Sequence, residues 1–326
     1  MASTVVTSFS PAVSDATEVG RLLPIRRFKD ERWAVILAGG EGQRLRSMTR
    51  VISGDDRPKQ FCSLVGRGTL LQQTEQRVGV LVPPARTIVV VTSGQERFLD
   101  PTNQPGSSVI VQPSNRGTAA AILYGLFSMR DFDAPVALFP ADHYMTDYAR
   151  FMEHVEVAYR AVEEVPSRVI LLGVNATTPE PDYGWIRPGA VAAKVSNESL
   201  FQVGEFIEKP TPSVARELWH QHCLWNSFVF VGRAHTLLSL VREAEPAFYE
   251  IFEDAWTAMA SEDESRILSA FYDYLPSVDF SRQVLARCPE RLLVMPVANS
   301  GWTDLGRPER VLELLDRRAS YRTAYL

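Results

Sequence analysis

The sequence predicts an α/β fold built on a doubly wound, mixed and mostly parallel sheet. Two observations carry that expectation. Short, continuous apolar runs recur along the first half, as strands buried on both faces require. Helix-like stretches separate them, as parallel crossovers require. The runs are 32–38 (RWAVILA), 87–92 (TIVVVT), 108–111 (SVIV), 135–139 (PVALF) and 168–173 (RVILLG). The intervening helices are expected over 70–80, 118–129 and 149–164. The second half is less regular, with strands expected at 201–208, 224–231 and 292–297. Helical patterns cover 234–260, 262–272 and 308–318. No internal repeat or long linker divides the chain, so residues 29–326 read as one domain. Residues 1–28, rich in Ser, Thr and Ala, read as a loosely ordered tail.

The bulk properties narrow the function classes. With 326 residues, 45% hydrophobic and 22% charged, the chain has the composition of a soluble globular protein. A formal net charge of −5 argues against a nucleic-acid-binding surface. No apolar run reaches the roughly 18 residues of a membrane span, and the first twenty residues lack the pattern of a secretory leader. Cys62, Cys223 and Cys288 are scattered without metal-type spacing. They suit buried thiols in a reducing compartment, with neither a disulfide framework nor a zinc site. The expected location is cytoplasmic, and a homo-oligomer is left open.

The chemistry begins where the first strand ends, at Leu37-Ala38-Gly39-Gly40-Glu41-Gly42-Gln43-Arg44-Leu45. Glycines after a strand allow a tight turn and let backbone N–H groups approach a polyphosphate. A dinucleotide fingerprint would need a third glycine where Leu45 stands. A phosphate-binding G-K-[ST] loop is absent, and a plain βα turn is the remaining reading. The weight therefore falls on the combination with Arg44 and with Arg57-Pro58-Lys59-Gln60-Phe61. A guanidinium and an ammonium beside such a cradle would stabilise charge on a transferring phosphoryl group.

Further along, Gln112-Pro113-Ser114-Asn115-Arg116-Gly117-Thr118 leads into a helix that Thr118 could cap. Asp142, in Pro140-Ala141-Asp142-His143, lies beyond a buried strand, where ligands of parallel sheets bind. A second carboxylate, Asp304, sits in Gly301-Trp302-Thr303-Asp304-Leu305-Gly306. Two hard oxygen ligands together with phosphate oxygens and water would suit Mg²⁺. His143 is a softer donor and reads as a neighbour that orients the loop. Three more segments offer groups for a sugar: Asp182-Tyr183-Gly184-Trp185-Ile186, Glu208-Lys209-Pro210 and Trp225-Asn226-Ser227.

In this order the motifs G-G-x-G-x-R-L, P-K-Q-F, N-x-x-T-A, P-A-D-H, E-K-P, W-N-S and G-W-x-D-x-G resemble the mannose-1-phosphate guanylyltransferases, within the wider sugar-nucleotidyltransferase superfamily. The resemblance runs from about Trp33 to about Leu314. It implies a Rossmann-like fold of the nucleotide-diphospho-sugar transferase type. It further implies triphosphate binding by Gly39, Gly40 and Gly42, and assistance at the α-phosphate by Arg44 and Lys59. Gln112, Asn115 and Thr118 would face the nucleoside. Tyr183, Gly184, Glu208, Lys209 and Asn226 would hold the sugar phosphate. Asp142 and Asp304 would hold Mg²⁺.

The implied reaction joins GTP and mannose 1-phosphate by direct displacement, with no covalent intermediate and no isomerase domain following. Other nucleoside triphosphates or hexose 1-phosphates, or a non-catalytic sugar-nucleotide sensor, are the alternatives. Two segments depart from the family pattern. Residues 46–56 are longer and more polar than usual and are expected to reshape the mouth of the nucleotide site. Phe228 stands where the family has a glycine.

Overall fold

A computed structural model describes residues 31–100, 106–259 and 264–324. The tail expected over 1–28 lies outside the described residues. The strands are β1 (Trp33–Leu37), β2 (Thr87–Thr92), β3 (Ser108–Gln112), β4 (Pro135–Pro140), β5 (Tyr144–Met145), β6 (Val169–Asn175), β7 (Gly184–Val195), β8 (Glu198–Glu208), β9 (Leu224–Arg233), β10 (Leu292–Val297) and β11 (Trp302–Thr303). The helices are α1 (Arg46–Ser53), α2 (Leu70–Val78), α3 (Gly117–Phe127), α4 (Tyr148–Glu164), α5 (Pro212–His220), α6 (Ala234–Ala244), α7 (Pro246–Met259), α8 (Glu264–Tyr274) and α9 (Pro308–Ala324).

One nine-stranded sheet has the order β3-β2-β1-β4-β9-β6-β10-β8-β7. Strands β1 to β4 pair in parallel, as do β6 and β10. Between those blocks β9 runs antiparallel to both β4 and β6. The apolar runs became strands because each, the edge strand β3 apart, buries both faces. Val35, Val90, Leu138, Leu171 and Val294 pack on one side with α3, α6, α7 and α8. Their neighbours Ile36, Val91, Phe139, Leu172 and Met295 pack on the other with α2, α4 and α5.

The structure departs from the sequence reading at several points, among them the helix α5 and the short strands β5 and β11, which the reading lacks. The helical pattern over 234–260 is two helices, α6 ending at Ala244 and α7 starting at Pro246. Proline lacks an N–H and clashes with the preceding turn, so it begins a helix more readily than it continues one. The polar segment after Arg44 contains the helix α1, stopped by Gly54 at φ +77°. Strand β7 was not expected, because Pro188 and Gly189 interrupt its pattern. Its register against β8 shifts near Pro188, Val191 and Ala193. Such bulges bend a strand, and the first residues of β7 fold back to pair Trp185 with Trp225 and Ile186 with Leu224 of β9.

A buried ion pair fastens α4 beneath the sheet. Arg32 reaches both Glu156 carboxylate oxygens (2.5 and 3.2 Å) and lies over the Tyr159 ring at 4.7 Å. Tyr159 in turn donates to the Trp33 carbonyl at 2.7 Å. Burial pushes the Glu156 carboxyl up, but Arg32 and Arg160 outweigh it and hold it below the ordinary range. Removing Glu156 strands a guanidinium that is only 5% exposed. Glu156→Ala is therefore expected to lower the unfolding free energy by about 3–5 kcal/mol in urea titration. Because the folded pKa is depressed, the pair's contribution is complete above the unfolded value of about 4.3 and is lost as pH falls through the folded one. The variant should accordingly show a weaker loss of stability on acidification than the parent.

Candidate active site

The C-terminal ends of β1, β3 and β4 open onto a cavity of ≈ 330 Å³. Every residue assigned a role above lines it except Gly42 and Lys59. Their absence from the wall is explained by what they do.

The glycine loop is shaped by turning its carbonyls inward. Gln60 donates to the carbonyls of Ala38 and Gly40, both at 2.7 Å. Thr92 donates to the Gly39 carbonyl at 2.9 Å, and Gln95 to that of Gly40 at 3.2 Å. Among the described residues no group accepts a hydrogen bond from the amides of Gly39 to Gly42. N–H groups left open in this way suit an anion. Gly42, at φ +60°, packs on Pro58 and Lys59, where an added Cβ would meet the Lys59 amide nitrogen at 3.0 Å. It acts on the loop's shape from behind.

Lys59 is buried and directs its ammonium at the protein. Nζ sits 3.1 Å from Asp142 Oδ2 and donates to the carbonyls of Asp304 (2.7 Å) and Leu305 (3.1 Å). One cation thus brings together the two segments that carry the acidic residues. Burial pushes the Asp142 carboxyl up, yet the Lys59 ammonium beside it holds it below the usual range. The same opposition acts at Asp304, where Arg310 and Lys59 prevail over burial. Asp304 Oδ1 accepts from Tyr183 Oη (3.2 Å), the Gly306 amide (2.8 Å) and Arg310. Both carboxylates are ionised hard-oxygen donors facing one cavity, which fits a divalent cation such as Mg²⁺. Burial drives His143 down to about 4. It is neutral, with its Nδ1 taking the Trp302 indole N–H at 3.2 Å.

Arg44 is more than half exposed and lies 3.5 Å from Asp182. Asp182 is also paired with Arg307 and Arg310, so the charges at the mouth form a cluster. None of residues 46–56 lines the cavity, contrary to expectation. Their charged side chains pair on the outside, Arg50 with Asp56 and Asp55 with Arg57, while Thr49 is buried and Met48 packs against the small cluster that holds Leu45 and Leu305.

Among the residues that the resemblance assigns to the nucleoside, Gln112 donates to Thr92 at 2.9 Å, while its Oε1 is buried without a partner among the described residues. Asn115 Oδ1 accepts from the Gly117 amide at 3.0 Å. Thr118 is not the helix cap. Arg116 holds that position without a side-chain hydrogen bond, and Thr118 Oγ1 accepts from the Phe280 amide instead.

Among the residues that the resemblance assigns to the sugar phosphate, the Glu208 carboxyl is pushed up to about 7 by burial, against the pull of Lys209 at 3.7 Å. Gly184 leaves no room for a side chain, since a Cβ would lie 2.6 Å from Glu208 Oε2. Asn226 Oδ1 accepts from the Phe228 amide at 3.0 Å.

The description of the nucleotidyl transferase family matches residues 33–319. The chain belongs to the nucleotidyl transferases. Its sequence is 30% identical over 292 residues to the xanthan biosynthesis protein XanB of Xanthomonas campestris pv. campestris strain B100. It is 29% identical over 290 residues to the mannose-1-phosphate guanylyltransferase of Escherichia coli strain K12. These matches take in 87% and 84% of the chain but only 59% and 58% of those proteins. The chain therefore spans about three fifths of the curated relatives it matches. A crystal structure described as mannose-1-phosphate geranyltransferase from Thermus thermophilus superposes with TM-score 0.74 at 31% identity, over 86% of this chain and 79% of that one. A UDP-glucose pyrophosphorylase complexed with UDP-glucose shares the fold at 15% identity, with TM-score 0.55 over 90% of this chain and 99% of its own.

Several residues of this nucleotidyl transferase's site escaped the sequence reading. Gln95 and Thr92 shape the loop, Asp279 and Ser281 line the cavity, and Arg310 contacts Asp304, Glu180 and the face of Tyr183 at 4.4 Å. Only the position of Arg310 one turn after Gly306 hinted at a role. Arg310→Ala would leave two largely buried carboxylates without their cation and should cost about 3–5 kcal/mol in denaturant unfolding. The loss should shrink in an Asp304→Asn background, because part of it is the stranded charge.

Proposed function

We propose that this chain transfers a nucleotidyl group from a nucleoside triphosphate to a hexose 1-phosphate, with GTP and mannose 1-phosphate as the pair. The observation that carries the reading is a single cavity lined by an amide-presenting glycine loop, Arg44, two acidic residues and the Glu208–Lys209–Asn226 group. The names of the curated relatives support the choice of sugar and base. Family membership supports an enzyme over a sensor.

In this mechanism a phosphate oxygen of the hexose 1-phosphate attacks the α-phosphorus of the triphosphate. A new P–O bond forms as the bond from the α-phosphorus to the bridging oxygen breaks, and the electron pair leaves with pyrophosphate. The attacking oxygen is already anionic, so no general base is needed. The chain's contribution is position and charge. The amides of Gly39 to Gly42 would hold the triphosphate, and Arg44 would leave Asp182 to meet it. Lys209 would take the sugar phosphate, while Glu208 and Asn226 read sugar hydroxyls. Gln112 Oε1, unpartnered in the wall, would accept from an exocyclic amine of the base. Lys59 would act by fixing the two acidic segments. Asp142 and Asp304 would hold Mg²⁺, which when bound offsets the repulsion between the two anionic substrates.

Pyrophosphate release is the direct test. Release should require the sugar phosphate, the triphosphate and Mg²⁺ together, with GTP and mannose 1-phosphate giving the highest kcat/KM of a nucleotide and sugar panel. Asp142→Asn should reduce turnover by about 10²-fold or more while circular dichroism stays close to the parent's, with melting lowered because the buried Lys59 ammonium loses its charge partner. A protein that binds nucleotide yet releases no pyrophosphate with any pair would instead be a sensor.

A further inference from the structure

The middle of β9 carries an irregularity with a bulky side chain on it. Phe228 has φ +55°, in the left-handed region. That conformation is costly for any residue with a Cβ and unusual for a large one. The turn is held there by its neighbours. Asn226 Oδ1 accepts from the Phe228 amide, while Ser227 Oγ donates to the Leu172 carbonyl at 2.6 Å and accepts from the Val229 amide at 3.1 Å. The facing strand slips register between Leu171 and Gly173. Backbone strain sustained by surrounding structure is characteristic of ligand-facing positions.

The strained turn places Phe228 on the wall of the cavity that Asn226, Glu208 and Gly184 also line. Behind it the ring meets Phe230 and Phe280 edge-on, at centroid distances of 5.7 and 6.5 Å, and those two stack on each other at 5.2 Å. Phe280 opens a π-helical turn, Phe280–Val284. That turn is tied to the start of α3 through the Phe280 amide on Thr118 and the Ala119 amide on the Val278 carbonyl. The ring therefore has a firm backing and cannot retreat without disturbing both the sheet and α3.

We infer that Phe228 is a specificity-determining residue of the sugar pocket. Its ring presents a wall with no hydrogen-bonding capacity, within a few side chains of groups that read hydroxyls. A hexose that turns C–H bonds toward this wall loses nothing. An epimer that turns a hydroxyl toward it leaves that hydroxyl dehydrated and unpaired. The backbone strain is maintained because it places that wall. This inference rests on the proposed function in one respect only: the ligand is a hexose, free as its 1-phosphate or joined to a nucleotide.

The test uses the full chain and two variants. Phe228→Gly suits the left-handed backbone and removes the wall, and Phe228→Leu keeps apolar bulk. For each, kcat/KM is measured with GTP against mannose, glucose and galactose 1-phosphates. Binding of GDP-mannose and GDP-glucose is measured in parallel by calorimetry. The ratio between the best and worst hexose should fall roughly tenfold or more in Phe228→Gly and much less in Phe228→Leu. KM for GTP is measured alongside, and a change in it larger than the change in the hexose ratio would overturn the inference. If the parent turns over no sugar but the calorimetric ratio collapses in Phe228→Gly, the inference stands and the catalytic reading fails. Unchanged ratios in a folded Phe228→Gly protein would overturn the inference, as would a parent that binds no hexose in either form.

Discussion

The buried ammonium of Lys59 is the contact on which the site depends. It is where the end of β4, the loop before α9 and the turn after Pro58 meet on a single atom. Two carboxylates facing one cavity would repel each other and draw water unless a cation lay between their segments. Lys59 supplies that cation from within and helps keep both acids ionised against burial. Its neighbours follow from it: Gln60 turns the loop carbonyls, and Gly42 gives the Lys59 backbone room. A motif that reads as a phosphate-contacting lysine is thus, in the folded chain, the fastening of the acidic pair.

The parts of the fold visible in the sequence are those governed by local or periodic rules. The apolar runs located the parallel strands because both faces of the sheet are covered, so every position had to be apolar. Residues such as Gly39, Gln112 and Asp142 were identifiable because they follow strand ends, and parallel strands collect their ends on one edge. What could not be read depends on partners distant in sequence. Gln95 and Thr92 look like ordinary polar residues until the loop they brace is folded beside them. Thr118 has the chemistry of a cap, but the Phe280 amide, 162 positions away, claims its hydroxyl. Strand β7 is disguised by the proline and glycine at which it bends, and its start brings Gly184, with Tyr183 just before it, to the cavity.

Charge divides the site into two regimes. The exposed arginines at the mouth, Arg44 and Arg307, rest on Asp182, whereas Arg310 is largely buried and braces Asp304. Surface pairs of this kind hold weakly and exchange readily, while the buried one is fixed. The mouth is therefore electrostatically pliable and the floor is rigid.

The interleaving of β9 between β4 and β6 has a consequence for how the protein comes into being. The cavity draws its walls from Leu37 through Asp304, and no contiguous half of the chain contains them all. During synthesis the glycine loop emerges early, but the carbonyls that engage Lys59 follow 245 and 246 positions behind that lysine. Until they emerge, Lys59 is only partly fixed beside Asp142 and the pocket lacks a side. A nascent chain thus has an incomplete cavity, and the site closes only when that late segment docks.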